Sequence, residues 1–343
     1  MRILVTGHTG FKGSWLSTIL SLNGHELFGI SLPPISGGIF EIAKLDKLFT
    51  GSYFQDLCVA EEVHDIVKKV NPQMVFHLAA QPLVIESYKN PSRTIYSNVI
   101  GTMNLLEVIR KVSGISKVLM VTTDKVYRNN GKFAGYEETE MLGGDDPYSV
   151  SKSMTDLMIQ SWTRSFEMPM TSIVRGGNVI GGGDRSENRL IPDLIQALSK
   201  KHPMKVRNPN SIRPWQHVLD CLNGYMSAME YLDSFDIDGN TWNFGPDDNQ
   251  TLSVQQVCEL AISKWPGGPN ISVSYENSVF NNQKESTNLT LNSNKARKVL
   301  GWRNKLNYEQ AIDLTVEWEF RVKKGENAFI VTQEQISKFI NSN

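Results

Sequence analysis

Short apolar runs alternate with longer amphipathic stretches along the first half of the chain. RILVT opens the series, a helical pattern follows over 14–22, then HELFGI, then Val63, Ile66, Val67 and Val70 at helical spacing. MVFHL, KVLMVT and TSIVR continue it. Continuous apolar strands separated by helices are covered on both faces, so the pattern predicts an α/β fold built on a Rossmann-type, doubly wound parallel sheet.

After Arg175 the alternation loosens. GGNVIGGGDRSENRL mixes glycines with charges and marks a lobe boundary, while TWNFG at 241–245 has the character of a strand returning to the main sheet. TLSVQQVCELAISKW, ISVSYE, NLTLNSNKARKVLGW and YEQAIDLTVEWEF predict a smaller mixed α/β lobe. The expected division is a dinucleotide-binding domain over 1–177, rejoined by about 211–247, and a substrate-binding lobe over 178–210 and 248–343. Ligands of such sheets sit beyond the carboxyl ends of the strands, where the chemistry is to be sought.

Composition narrows the partners. With 343 residues and 40% apolar content the chain can bury a large core. Its 35 basic residues balance 36 acidic ones, which leaves no positive field for nucleic acid or an anionic membrane and points to a small-molecule partner. Cys58, Cys221 and Cys258 lack both CxxC and Cys/His ligand spacing, so neither disulfides nor a metal site is expected. MRILVTGHTG carries no charged leader or cleavage site, and no apolar stretch reaches the ~18 residues of a membrane span. A cytoplasmic protein is the expectation.

Three motifs then carry chemistry. Gly7, Gly10 and Gly13 form GxxGxxG between the first strand and the first helix, where backbone N–H groups and a positive helix end can meet a pyrophosphate. Phe11 and Lys12 lie inside this loop and are counted with it as cofactor contacts. The plainer alternative is a tight βα turn with close helix packing. A dinucleotide fingerprint expects an acid at the end of the second strand, but Ser31 and Leu32 stand there. NAD is the expected cofactor, yet NADP stays open, since His8 and Lys12 offer positive charge to a 2′-phosphate. Asp56, beside Leu57 in FQDL, suits either an adenine amino group or a helix cap.

The second motif is Tyr148 and Lys152 in DPYSVSK, one helical turn apart and on one face. They follow the strand ending in VTTD, where a nicotinamide would lie, and Lys152 would draw a phenol of reference pKa ~10 toward a working base. In the third, TTDK, Asp124 and Lys125 form either an ion pair at a sheet edge or a device for moving protons. His77, alone at a strand end, fits a structural role.

Taken together and in order, GHTGFKGSW, HLAAQP, NVIGT, TTDKVY, DPYSVSK, GGNVIGGGD and RPWQHVLD resemble extended short-chain dehydrogenase/reductase enzymes that act on sugar nucleotides, the 4,6-dehydratases in particular. The resemblance implies a lyase. Tyr148 would deprotonate the C4 hydroxyl as hydride leaves C4, Thr123 would hold O4, and Asp124 would be the acid at O6. Lys125 would stand where many relatives carry glutamate, with the C5 base left between Lys125 and Tyr148.

The resemblance also implies a small-residue wall of Leu78, Ala79 and Ala80 against the cofactor, Gln81 facing the sugar, and Asn98 supporting the nicotinamide side. Asn178, Arg189, Leu190 and Arg213 would contact the nucleotide diphosphate and base, with His217 near the same pocket. CDP-glucose is the first substrate it suggests, another NDP-hexose or a sugar-nucleotide 4-epimerase the alternatives. Two positions depart from the family pattern, Ile85 after QPLV and Arg185 after GGGD, where arginine and tryptophan are usual. Helices over 98–110 and 148–162 resemble those that pair in the family's homodimers. A regulator on a disused scaffold would be expected to lack the tyrosine or lysine.

Overall fold

The computed structural model describes residues 1–132, 134–246, 252–267, 271–276 and 289–342. Parts of the expected second lobe, at 247–251, 268–270, 277–288 and 343, lie outside the described residues. The strands, in chain order, are β1 (Arg2–Thr6), β2 (Glu26–Ser31), β3 (Phe49–Phe54), β4 (Met74–His77), β5 (Lys117–Thr123), β6 (Met170–Gly176) and β7 (Asn178–Ile180). There follow β8 (Met204–Arg207), β9 (Ile212–Arg213), β10 (Trp215–His217), β11 (Thr241–Phe244), β12 (Leu252–Ser253) and β13 (Val273–Glu276).

Seven of them form one parallel sheet in the order β11-β6-β5-β4-β1-β2-β3. Strand order turns back between β1 and β4, and that crevice is the switch point at which such sheets bind ligands. Burial explains the apolar runs: β5 and β6 are buried at every position after the first and β11 throughout, whereas edge strand β3 is nowhere fully buried. The other strands form three two-stranded pieces, β7 with β10, β9 with β12, and β8 with β13.

The helices of the first half are α1 (Phe11–Leu22), α2 (Ile39–Ile42), α3 (Ala60–Val70), α4 (Val84–Lys89), α5 (Pro91–Ile95), α6 (Gly101–Ile109) and α7 (Pro147–Ser165). Those of the second are α8 (Leu190–Lys200), α9 (Val218–Tyr231), α10 (Val254–Lys264), α11 (Asn294–Val299), α12 (Tyr308–Lys323) and α13 (Ala328–Asn341). One sheet face packs α3, α6 and α7 through Val63, Val67, Leu105, Leu106 and Ile159. The other packs α1, α9, α12 and α13 through Trp15, Leu16, Leu222, Trp318 and Val331. A further core under α8, α10 and α12, with Leu194, Val257 and Ile312, belongs to the second half of the chain.

Two helix starts place the chemistry. α1 begins at Phe11, three residues earlier than the periodicity predicts, because Gly10 supplies an extended N-cap and apolar spacing does not register the glycine turn. α7 begins at Pro147, a residue suited to a first helical position. Asp146 caps it by accepting the Ser149 N–H at 2.9 Å, so Tyr148 falls in the first turn.

Candidate active site

The chain turns from β1 into α1 at Gly7, which sits at φ 73° and donates its N–H to Ile30 O at 2.8 Å. A Cβ there would lie 2.7 Å from Ala79 N, so only glycine lets the loop after β4 close against the turn. At Gly13 a Cβ would collide with the Gly7 carbonyl, which requires glycine where α1 crosses the strand. The first turn of α1 holds no acidic residue, and its positive end therefore faces the crevice uncompensated. Leu78 and Ala79 are fixed beside it through N–H bonds to Thr6 O and Thr6 Oγ1, at 3.1 and 3.3 Å. Ala80 follows in the same half-buried loop. His77 is structural, sharing hydrogen bonds with Thr6 and Thr102 at 2.7 and 2.8 Å, and burial, with Lys152 nearby, pushes it down to about 3.

At the end of β2, where the fingerprint expects an acid, hydroxyls stand instead. Thr9 Oγ1 and Ser31 Oγ are 2.6 Å apart, and Thr9 also donates to Leu32 O at 2.9 Å. His8, which the sequence suggested for a 2′-phosphate, is fully buried instead. It shares a hydrogen bond with Ser52 Oγ at 2.7 Å, packs on Phe40 and Phe49, and burial pushes it down to about 4. Lys12 also turns away from that end. Its Nζ donates to the Tyr225 hydroxyl on α9 at 3.1 Å, and burial lowers its pKa.

Asp56 is used locally, with one oxygen accepting Cys58 N–H at 3.0 Å and the other Arg93 Nη2 at 2.9 Å. Burial alone would raise its pKa, but the Cys58 and Arg93 bonds hold it below the usual value. Leu57 packs under α6 at Gly101, its carbonyl held by Asn104 Nδ2 at 2.9 Å.

The carboxyl end of β5 and the first two turns of α7 meet as a seam. Thr123 Oγ1 donates to Asp124 Oδ1 at 2.8 Å, and the threonine hydroxyl works against the burial that raises the Tyr148 pKa. Lys152 Nζ donates to Val121 O at 3.0 Å. Asp124 is buried, which raises its pKa and makes the carboxyl fit to give a proton. Burial pushes Tyr148 up to about 12, while burial and then Lys12 bring Lys152 down to about 8. Lys125 is half-exposed, and among the described residues its Nζ makes no hydrogen bond.

The second half of the chain closes on this seam. A Cβ at Gly177 would lie 3.3 Å from Pro214 Cγ and 3.7 Å from Asp124 Oδ2, so the glycine brings the β9–β10 segment over the acid. The charges of Arg213 and Arg189 reach Asp124 and Tyr148 respectively, and both help hold the anionic forms. Arg189 caps α8 and pairs with buried Asp184 at 3.4 Å; Leu190 opens that helix against its core. Asn178 begins β7, opposite Trp215.

Two substrate-side residues, His217 and Gln81, are engaged elsewhere, and Asn98 braces the loop after β4. His217 does not face the pocket: it is fully buried, its Nδ1 accepts the Leu219 N–H at 3.3 Å as the cap of α9, and its ring packs edge-on to Trp15. Gln81 braces its own loop, with Oε1 accepting Leu83 N–H at 2.5 Å and Nε2 donating to Leu83 O and Thr94 Oγ1. Asn98 supports the same loop from a π-helical turn, Tyr96–Ile100. Its Oδ1 accepts the Gln81 N–H at 2.7 Å, and its Nδ2 donates to Gln81 O and Ser151 Oγ.

The two departures also find places. Arg185 is held by both oxygens of buried Glu319 at 2.6 and 2.8 Å, which also accepts the Gly183 N–H, so it anchors α12 to the glycine segment. Ile85 lies half-buried on α4. Tyr225 and Glu319 went unrecognised because nothing near them in sequence marks them. Arg175 and Asp156 were also missed, although Asp156 continues the 148, 152 spacing by one more turn.

A dinucleotide cradle facing a Tyr–Lys pair across one crevice is the arrangement of short-chain dehydrogenase/reductase enzymes, which the resemblance in the sequence anticipated. The fold agrees: UDP-glucose 4-epimerase of Thermotoga maritima superposes with a TM-score of 0.81 at 26% identity, over 95% of this chain and all of that one. A dTDP-glucose 4,6-dehydratase structure from Bacillus anthracis shares the fold at a TM-score of 0.78 and 22% identity, over 97% and 99% of the two chains. The family described as GDP-mannose 4,6 dehydratase matches residues 4–315, and the chain belongs to it. CDP-glucose 4,6-dehydratase of Salmonella typhimurium is 36% identical over 99% of this chain and 96% of its own.

Proposed function

We propose that the protein is a hydro-lyase that uses NAD to dehydrate a nucleotide-activated hexose across C5 and C6, with CDP-glucose its substrate. The observation that carries this is the acid–amine pair Asp124–Lys125 set directly behind Thr123 and beside Tyr148, equipment that hydride transfer alone does not need. The 36% identity to a CDP-glucose 4,6-dehydratase supports the cytidine sugar.

In this reading the glycine turn, Phe11, Gly13 and the Leu78–Ala80 wall hold the dinucleotide, with Asn98 and Gln81 bracing that wall. NAD bound there would supply the hydride store, for hydride taken from C4 and given back at C6. Tyr148 takes the C4 hydroxyl proton, helped by the Lys152 ammonium, and Thr123 fixes O4. The ketone formed at C4 acidifies C5–H. Lys125 or Tyr148 removes that proton, protonated Asp124 gives its proton to O6, and water leaves. A proton then returns to C5, completing a 4-keto-6-deoxy sugar. Asn178, Arg189, Leu190 and Arg213 hold the nucleotide diphosphate and base, two guanidiniums matching two phosphates.

The reading divides the chain into a cofactor domain over 1–177, rejoined by about 211–247, and a substrate lobe from the rest. It also includes a homodimer. Val150, Met154 and Leu157 form an exposed apolar stripe on α7, opposite the buried face of Tyr148 and Lys152, and exposed Tyr96 adds to the uncovered apolar surface. We place the protein in the cytoplasm, a location supported by its three free thiols.

The test is product analysis by NMR after incubating the purified protein and NAD with CDP-glucose and, separately, with UDP- and dTDP-glucose. A 4-keto-6-deoxy product from CDP-glucose alone is expected. The same product only from another nucleotide would overturn the base, and a C4 epimer would overturn the lyase.

A further inference from the structure

Below the seam lies a charge pair that the reaction scheme leaves unused. Tyr148, Lys152 and Asp156 stand at successive turns of α7, and two consecutive residues of β5 meet the second and third: Val121 O at Lys152, 3.0 Å away, and Thr122 Oγ1 at Asp156 Oδ2, 2.9 Å away. Arg175, beside Thr122 in the β5–β6 register, grips the same carboxylate with Nε at 2.9 Å and Nη2 at 2.8 Å. Gln160 Nε2 adds a bond at 2.8 Å, so Asp156 accepts four. The side chains are 1% and 0% exposed.

Arg175 reaches further. Its Nη1 donates to the Tyr127 hydroxyl at 2.7 Å and Glu138 O at 2.8 Å, and Tyr127 donates in turn to Asn243 Oδ1 of β11 at 2.8 Å. The segment held this way leaves Lys125 and returns to Asp146, so both ends of the catalytic constellation hang from one guanidinium. A fully buried ion pair is poor evidence of stabilisation, because apolar residues of the same volume serve a core as well or better. What it does fix is register and local charge.

We propose that Arg175 and Asp156 are a positioning pair for the reaction: they lock the second and third turns of α7 against β5 and cancel a carboxylate that would otherwise face the Lys152 ammonium. This rests on the reading of Tyr148 and Lys152 as the proton-handling pair. The other groups acting on them are Lys12 of α1, His77 of β4, Asp124 after β5, Asp146 before α7, Arg189 before α8 and Tyr225 of α9.

The experiment measures the acidic limb of kcat against pH on NAD-loaded protein. In parallel, each variant without substrate is titrated for tyrosinate by ultraviolet difference against its Tyr148→Phe counterpart. Asp156→Asn keeps the shape but leaves a guanidinium that cannot deprotonate, so both the limb and the Tyr148 titration move to lower pH by on the order of one unit. Asp156→Asn combined with Arg175→Gln returns both toward wild type. Arg175→Lys keeps the charge and loses the fork, so the limb stays and kcat falls roughly tenfold at unchanged KM.

A limb and titration unmoved in Asp156→Asn, with only a lower melting temperature, would overturn the charge role. Full kcat in Arg175→Lys would overturn the positioning role, and it can be read even if Asp156→Asn fails to fold. Turnover surviving in Tyr148→Phe would overturn the underlying assignment and the pair's role with it, whereas an unmoved limb beside an inactive Tyr148→Phe overturns the pair alone.

Discussion

The two ends of the crevice are built on different principles. Where β5 meets α7, Thr123 bonds Asp124, Lys152 bonds Val121 O, and Asp156 is held by partners on β5, β6 and its own helix, with the Arg175–Asp156 charges buried. At the end of β2, Ser31 and Thr9 share one hydroxyl contact, while Leu32 and Phe54 are each 51% exposed. The difference fits the proposed use of each end, with the nicotinamide beside α7 and the adenosine at β2. Proton and hydride transfer demand atoms held to fractions of an ångström, whereas an adenosine needs only a surface that fits.

Breaking the tight end has the largest expected consequence. Tyr148→Phe removes the phenol to which the proposed mechanism gives the C4 proton and is expected to lower kcat about a thousandfold, while NAD binding, followed by fluorescence quenching, persists. Lys125→Ala acts later in the reaction. It is expected to slow water elimination about a hundredfold and to trap reduced nicotinamide on the enzyme, visible by its near-ultraviolet absorbance. Full dehydratase turnover in that variant would remove Lys125 from the mechanism.

Lys152→Met sharpens the comparison through stability. Folded Lys152 titrates at about 8, below the 10.5 of the free side chain, because burial disfavours its charge. The unfolded chain therefore binds the proton more tightly. Unfolding takes up a proton between those two values, so stability contributed by this residue is absent below about 8 and grows as pH rises toward 10.5. Wild type should gain on Lys152→Met by up to roughly 3 kcal/mol across that window, measured by urea unfolding at both ends.

The loose end is expected to respond least. Ser31→Asp would restore a carboxylate at the end of β2 and tighten NAD about tenfold while weakening NADP, as read by calorimetry of the nucleotide-free protein. Equal affinities before and after would mean that the ribose does not reach Ser31.

Much of this molecule follows from spacing along the chain. The parallel sheet, the glycine turn and the shared face of Tyr148 and Lys152 are local patterns, because strand burial, turn geometry and helical periodicity act over a few residues. Family resemblance in ordered blocks suggested the roles proposed for Thr123, Asp124 and Lys125. Tertiary structure alone decided which polar groups point into the crevice and which are taken up elsewhere. His8 and His217 are sealed in the core, Gln81 is tied to its own loop, and Lys12 turns toward Tyr225.

The same holds for Arg175 with Asp156 and Arg185 with Glu319, partners 19 and 134 residues apart. A charged residue in a sequence reads the same whether it meets water, a ligand or a distant counter-ion. Only the folded chain brings the counter-ion to it, and burial then fixes both the direction of its side chain and the proton it keeps.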